Sequence, residues 1–136
     1  MKILIADDSL IVRKSLKRLL ISLNNPIEIY ESINVKHTID IFQELNPDLI
    51  ILDIMMPDGN GMDALKVIKQ RNRDQKVLIY TNFPNPLNRK KCMDLGADYF
   101  VDKTSEYGLI LDIIKEIIEN EENGLIHKDN SKPKEH

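Results

Sequence analysis

The sequence predicts an α/β fold, a parallel sheet covered by helices on both faces, and three observations point to it. Short apolar runs alternate with longer stretches of helical spacing, five times over. The short runs are almost continuously apolar, as expected of strands buried on both sides. The chain has 136 residues, 42% of them apolar, which suits one domain with a proper core.

The elements follow in order. Residues 1–6 read as the first strand; Leu16, Leu19, Leu20 and Leu23 carry the first helix, ended by Asn24-Asn25-Pro26. Residues 27–30 form the second strand. Val35, Ile39, Phe42 and Leu45 line a second helix that stops at Asn46-Pro47-Asp48. Residues 49–52 are the third strand, Met62, Leu65 and Ile68 the third helix, and residues 77–80 the fourth strand. The fourth helix occupies 87–95 before Gly96, residues 99–101 make the fifth strand, and 109–118 the fifth helix, with Ser105 as its cap. Beyond Glu122 almost nothing remains to bury, so residues 123–136 are expected to be a flexible polar tail.

Composition excludes several classes of function. Nineteen basic against 22 acidic residues give a net charge of −3, which argues against wholesale wrapping of nucleic acid. No apolar run approaches a membrane span, and the N-terminal residues are not expected to act as a signal peptide. A single cysteine, Cys92, makes no internal disulfide and is expected to pack as a small hydrophobe. His37 and His127 have no ligand companions at usable spacing. A cytoplasmic protein without membrane contact is the expectation.

Chemistry is expected where the strands end, since ligands of open parallel sheets bind beyond the carboxyl ends. Asp7 and Asp8 follow the first strand, Asp53 the third, Thr81 ends the fourth, and Lys103 follows the fifth. Singly, each has a plainer use as a cap, a turn residue or a solvated side chain. Together they supply acids, a hydroxyl and an amine at one end. Three converging carboxylates repel and call for a cation, and hard oxygen ligands suit Mg²⁺. An aspartate can attack phosphorus, and a metal, a lysine and a hydroxyl can neutralise and position the transferred group. The sequence has no G-x-x-x-x-G-K-S/T loop and no G-x-G-x-x-G turn after a strand.

Four motifs in order carry a family resemblance: ILIADDS at residues 3–9, DLIILDIMMPDGNGMD at 48–63, LIYTN at 78–82 and LGADYFVDKT at 95–104. In these the chain resembles the receiver domain of two-component response regulators over residues 1–122. The resemblance implies a flavodoxin-like, doubly wound five-stranded sheet of order 2-1-3-4-5. It implies that Asp53 is the phosphoacceptor, loaded from a histidine of a partner kinase or phosphotransfer protein. Asp8 would be the main Mg²⁺ ligand, helped by Asp7 through water, by Asp53 and by the backbone carbonyl of Met55. Lys103 would pair with Asp53 and then with the phosphoryl oxygens. Thr81 would swing toward the phosphate and Phe100 would be the aromatic switch, changing the face made by the fourth helix, fifth strand and fifth helix.

The departures carry expectations too. Thr104 stands where the family commonly has proline, which leaves the isomer of the Lys103–Thr104 bond open. Asn82 is larger than the usual residue after the threonine and narrows access. Met55 and Phe83, two residues beyond Asp53 and Thr81, are apolar at positions where receivers tune the attacking water. Either a slowly hydrolysed aspartyl phosphate is expected, or the two side chains only fill local space.

The resemblance implies a phosphoacceptor with self-phosphorylation chemistry rather than a turnover enzyme. One alternative is a Mg²⁺-dependent aspartyl-phosphate phosphohydrolase, against which Met55 stands where a second aspartate is wanted. The other is a phosphorylation-independent interaction module on the same fold. With the receiver filling the chain, a separate output protein and no direct DNA binding are expected. Arg13, Lys14, Lys17 and Arg18 beside Leu10 and Ile11 offer either a docking face for the phosphodonor or a solvated basic face. On the fifth helix, Ile110, Ile113 and Ile117 make one stripe and Tyr107, Leu111, Ile114 and Ile118 a second. The favoured use of both is one broad core stripe; the other is binding an output protein or pairing two receivers as a homodimer.

Overall fold

Strands and helices alternate along the chain because apolar runs are broken by Asp, Asn or Pro before each helical stretch. The computed structural model describes the backbone of residues 1–130 and the side chains of residues 1–123. In order, the elements are β1 (Lys2–Ala6), α1 (Leu10–Ile21), β2 (Glu28–Ser32), α2 (Val35–Leu45), β3 (Leu49–Leu52), β4 (Met55–Met56) and β5 (Gly59–Asn60). These are followed by α3 (Gly61–Arg71), β6 (Lys76–Thr81), α4 (Pro86–Asp94), β7 (Tyr99–Asp102) and α5 (Tyr107–Asn130). Four helices open on a side chain that takes up an orphan backbone N–H. Ser9 accepts from Val12, Asn34 from His37, Asn60 from Met62 and Asn85 from Asn88. Asn46 ends α2 in the left-handed conformation at φ 47°, which Asn tolerates better than most residues.

The main sheet is parallel throughout with order β2-β1-β3-β6-β7. This is the expected doubly wound order once the two-residue strands are set aside. Successive residues point to opposite faces, and both faces are filled. Leu4, Ala6, Ile50, Leu52, Val77, Ile79 and Phe100 pack with Phe42 of α2, Leu65 and Ile68 of α3 and Cys92 of α4. Ile3, Ile5, Leu49, Ile51, Leu78, Tyr80 and Val101 pack with Leu16 and Leu20 of α1 and with Ile110, Ile114 and Ile117 of α5.

Several expectations need correction. Met55 and Met56 pair with Asn60 and Gly59 in a short antiparallel hairpin, β4-β5, which the alternation of apolar runs does not predict. β2 runs on to Ser32, because Glu31 and Ser32 find partners in Ile5 and Ala6. Ser105 does not cap α5: its hydroxyl donates to Asp102 Oδ2 at 2.7 Å, and the helix begins at Tyr107. α5 also continues past Glu122 to Asn130, so residues 123–130 are helical, and the Asn123-Gly124 pair does not end the helix. Leu125 extends the apolar spacing seven residues on from Ile118. Residues 131–136, the rest of the expected tail, lie outside the described residues, and so does the side chain of His127. No peptide bond among the described residues is cis, Lys103–Thr104 included.

Five isoleucines of α5 form one core stripe, while Leu109 is exposed and Leu111 is half-buried outside that cluster. Ile110, Ile114 and Ile117 are buried, Ile113 and Ile118 pack partly against the same cluster, and Tyr107 stays exposed with its hydroxyl 3.1 Å from Ser15 Oγ. Among the described residues no helix is long and apolar enough to cross a membrane.

Candidate functional site

Parallel register puts the carboxyl ends of β1, β3, β6 and β7 along one edge, and backbone hydrogen bonds carry the ladder past the strands into the loops. Asp7 N–H donates to Ser32 O at 3.0 Å, Asp53 N–H to Ala6 O at 2.9 Å, and Lys103 N–H to Thr81 O at 2.9 Å. Asp7, Asp53 and Lys103 are thereby fixed by the neighbouring strand rather than carried on a free loop. Gly61 is required for the same purpose. Its N–H donates to Ile54 O at 2.8 Å, and a Cβ at this position would collide with the Asp53 carbonyl oxygen and the Ile54 Cα.

The structure brings together the five residues picked out at the strand ends. Asp7 and Asp53 are buried, Asp8 is exposed, and Thr81 is wholly buried. Carboxylate oxygens of Asp7, Asp8 and Asp53 all lie within 4.8 Å of one another. The Lys103 ammonium, its side chain only 8% exposed, sits 2.6 Å from Asp7 Oδ2 and 2.9 Å from Asp53 Oδ2. Only the contact with Asp53 has hydrogen-bond geometry, so Asp7 Oδ2 is buried without a hydrogen-bond donor. Asp7 Oδ1 accepts from Ser9 N–H at 2.9 Å, and Asp53 Oδ1 accepts from Met55 N–H at 3.3 Å.

Electrostatics follow from this crowding. Burial raises the Asp7 pKa; Lys103 and the Ser9 N–H oppose the rise, and the charge of Asp53 adds to it. For Lys103, burial works to lower the pKa, but its contacts with Asp7 and Asp53 outweigh burial and the net shift is upward. Tyr80, 5.6 Å below the ammonium, is pushed by burial up to about 12. One ammonium against three carboxylates leaves the cluster net negative. The donors are all oxygens, one buried oxygen lacks a donor, and Asp8 opens the cluster to solvent. A hard divalent cation that keeps some of its water fits this donor set.

Around the cluster, Thr81 Oγ1 accepts from Phe83 N–H at 3.0 Å, which leaves its own proton uncommitted to that bond. Phe100 is turned inward, and the Arg89 guanidinium lies 4.7 Å from its ring centroid. Met55 and Phe83 flank the opening, 52% and 48% exposed.

Two features escape a reading of the sequence. Asp58 reaches across from the β4-β5 hairpin to accept from Val35 N–H at 2.7 Å and Lys36 N–H at 3.1 Å, tying the loop after Asp53 to α2. On α1, Arg13 donates to the Asp7 carbonyl oxygen and to Glu31, and Lys17 donates to the other Glu31 oxygen. Two of the four cations expected to dock a phosphodonor are therefore turned onto β2, while Lys14 and Arg18 stay exposed.

Comparison with known proteins identifies what the chain is similar to. Residues 3–126 match the family model of the response regulator receiver domain. Transcriptional regulatory protein YdfI of Bacillus subtilis is 38% identical over 106 residues, which cover 76% of this chain and 49% of that protein. Chemotaxis protein CheY of Halobacterium salinarum is 27% identical over 118 residues, 86% of this chain and 96% of that one. The chain thus spans about half of the former and nearly all of the latter. A two-component response regulator from Clostridium difficile superposes with a TM-score of 0.79 at 24% identity, covering 88% of this chain and 96% of that one, a likeness of fold.

Proposed function

The chain belongs to the response regulator receiver domain family, and on that premise we propose that it is a phosphoacceptor whose Asp53 takes a phosphoryl group from a histidine of a partner kinase or phosphotransfer protein. The observation that carries the reading is the Lys103 ammonium buried between two carboxylates from different strands, 2.6 Å from Asp7 and 2.9 Å from Asp53.

A carboxylate oxygen of Asp53 attacks phosphorus; the new O–P bond forms as the P–N bond to the donor imidazole breaks. Asp53 is held for this by its N–H on Ala6, by Met55 N–H on its carboxylate and by Lys103. A bound Mg²⁺, held by Asp8, Asp7, Asp53 and the Met55 carbonyl, would supply charge neutralisation between carboxylates and phosphoryl oxygens. Lys103 then pairs with a phosphoryl oxygen, and the Thr81 hydroxyl donates a hydrogen bond to another. Met55 stands where a phosphohydrolase would need a second acid, so we assign phosphoryl storage rather than turnover.

Signalling is assigned to the face of α4, β7 and α5. In α4 only Cys92 is buried, so the helix is lightly tethered. Phe100 packs in the same core cluster as Cys92, and movement of the Thr81 hydroxyl toward a phosphoryl group shifts the equilibrium of this face between two arrangements.

The test is incubation with Mg²⁺ and acetyl phosphate followed by intact mass measurement, for the native chain and for Asp53→Asn. A gain of one phosphoryl group in the native chain alone is expected. No gain in the native chain would overturn the reading, and continuous release of phosphate beyond one equivalent would favour a phosphohydrolase.

A further inference from the structure

We infer that Arg13 is a positioning residue for the divalent-cation site: its guanidinium fixes the peptide between Asp7 and Asp8, and so sets the convergence of the two carboxylates. The inference rests on the phosphoacceptor reading and deepens it.

β1 ends at Ala6, so the Asp7 carbonyl is the first that leaves the sheet. Arg13 Nη1 supplies its hydrogen bond, at 2.8 Å. An unmet carbonyl in this half-buried setting would take another partner by rotating its peptide plane, and Asp8 leaves from that same plane. Arg13 is itself held. Its Nε donates to Glu31 Oε1 at 2.8 Å, its side chain is only 13% exposed, and Lys17 takes Glu31 Oε2 at 2.9 Å. Glu31 stands on β2 next to Ser32, whose carbonyl accepts the Asp7 N–H. One rigid frame therefore grips Asp7 at its N–H, at its C=O and, through Ser9, at its carboxylate. A planar fork with two donors in fixed directions is suited to such bridging, and an ammonium is not.

Charge alone predicts the opposite of positioning. Arg13 is a cation beside an acidic cluster, so by Coulomb repulsion its removal should tighten Mg²⁺ binding. If it positions the ligands, its removal weakens binding. The sign of the change separates the two.

The experiment is calorimetric titration with Mg²⁺ at physiological ionic strength, with thermal unfolding in chelator alongside. The proteins are the native chain, Arg13→Ala, Arg13→Lys and Glu31→Gln, with Lys14→Ala as a control that removes an exposed cation from the same helix. Arg13→Ala is expected to raise the Mg²⁺ dissociation constant tenfold or more, Arg13→Lys and Glu31→Gln by smaller factors, and Lys14→Ala not at all. Should Arg13→Ala fail to fold, Arg13→Lys, which keeps the positive charge but loses the planar fork, gives the same reading, since charge alone predicts no change for it. Unchanged or tighter binding in the folded Arg13→Ala chain, or in Arg13→Lys where Arg13→Ala does not fold, overturns the inference alone. A native chain that neither binds Mg²⁺ nor gains a phosphoryl group overturns the function it rests on.

Discussion

Lys103 lies nearer to Asp7, at 2.6 Å, than to Asp53, at 2.9 Å, so one ammonium is shared between two carboxylates. Even so, burial leaves the Asp7 pKa raised above its ordinary value. The native state then holds the Asp7 proton more tightly than the unfolded chain does. Stability from this group is therefore present at acid pH and lost as pH rises from the ordinary carboxylate range through the raised pKa. In neutral buffer with chelator, charged Asp7 costs stability, and Asp7→Asn should raise the melting temperature by roughly 2–5 °C. The same substitution should abolish the stabilisation that Mg²⁺ gives the native chain. Thermal unfolding with and without Mg²⁺ checks both; a lowered melting temperature in chelator would mean that the Lys103 pairing outweighs burial.

Two glycines should respond in opposite directions to alanine. At Gly61 the added Cβ meets the Asp53 carbonyl and the Ile54 backbone, neither of which can move without displacing Asp53. Gly61→Ala should cost about 2–4 kcal/mol and impair phosphorylation. At Gly108, in the first turn of α5, nothing lies within 4 Å of the new Cβ. Gly108→Ala should stabilise by about 0.5 kcal/mol through lower unfolded-chain entropy. Urea unfolding of both variants measures the contrast.

What the sequence made legible was local. Asp7, Asp8, Asp53, Thr81 and Lys103 could be placed together because each lies at the end of an apolar run, and parallel strands align their ends. The β4-β5 hairpin was not legible, since two-residue strands carry no periodicity. Nor was the register of α5: Ile110, Ile114 and Ile117 face the core, but a helix so rich in isoleucine offers more than one seam. Arg13 read as part of a basic face because its partner, Glu31, sits on another element, and no spacing rule links α1 to β2. Side chains that bridge elements are set by the packed fold. Strand-end residues are set by the pattern.

Cys92 should be silent to thiol reagents while the chain is folded. It is wholly buried, and burial pushes its pKa up to about 11, so little thiolate exists at pH 8. Reaction with a chromogenic disulfide should be slow in buffer and rapid in denaturant. As the sole buried residue of α4, Cys92 also reports detachment of that helix. If α4 moves on phosphorylation, labelling in the presence of acetyl phosphate and Mg²⁺ should change rate, and an identical rate would argue that the helix stays seated.

The lifetime of the aspartyl phosphate should be set by Met55 and Phe83. Both flank the opening to Asp53, and neither presents a polar atom on its side chain to orient an attacking water. Hydrolysis needs such a water in line with the O–P bond, and a positioned acceptor or donor commonly contributes two or more orders of magnitude in rate. The native phosphorylated chain should therefore hold its phosphoryl group for minutes or longer after the donor is removed. Met55→Asn, which places an amide beside the site, should shorten that lifetime by about tenfold, and Phe83→Ala, which only opens access, by less. A time course of intact mass after desalting gives all three rates. If Phe83→Ala proved the faster of the two variants, exclusion of water rather than the lack of a group to orient it would be what protects the phosphoryl bond.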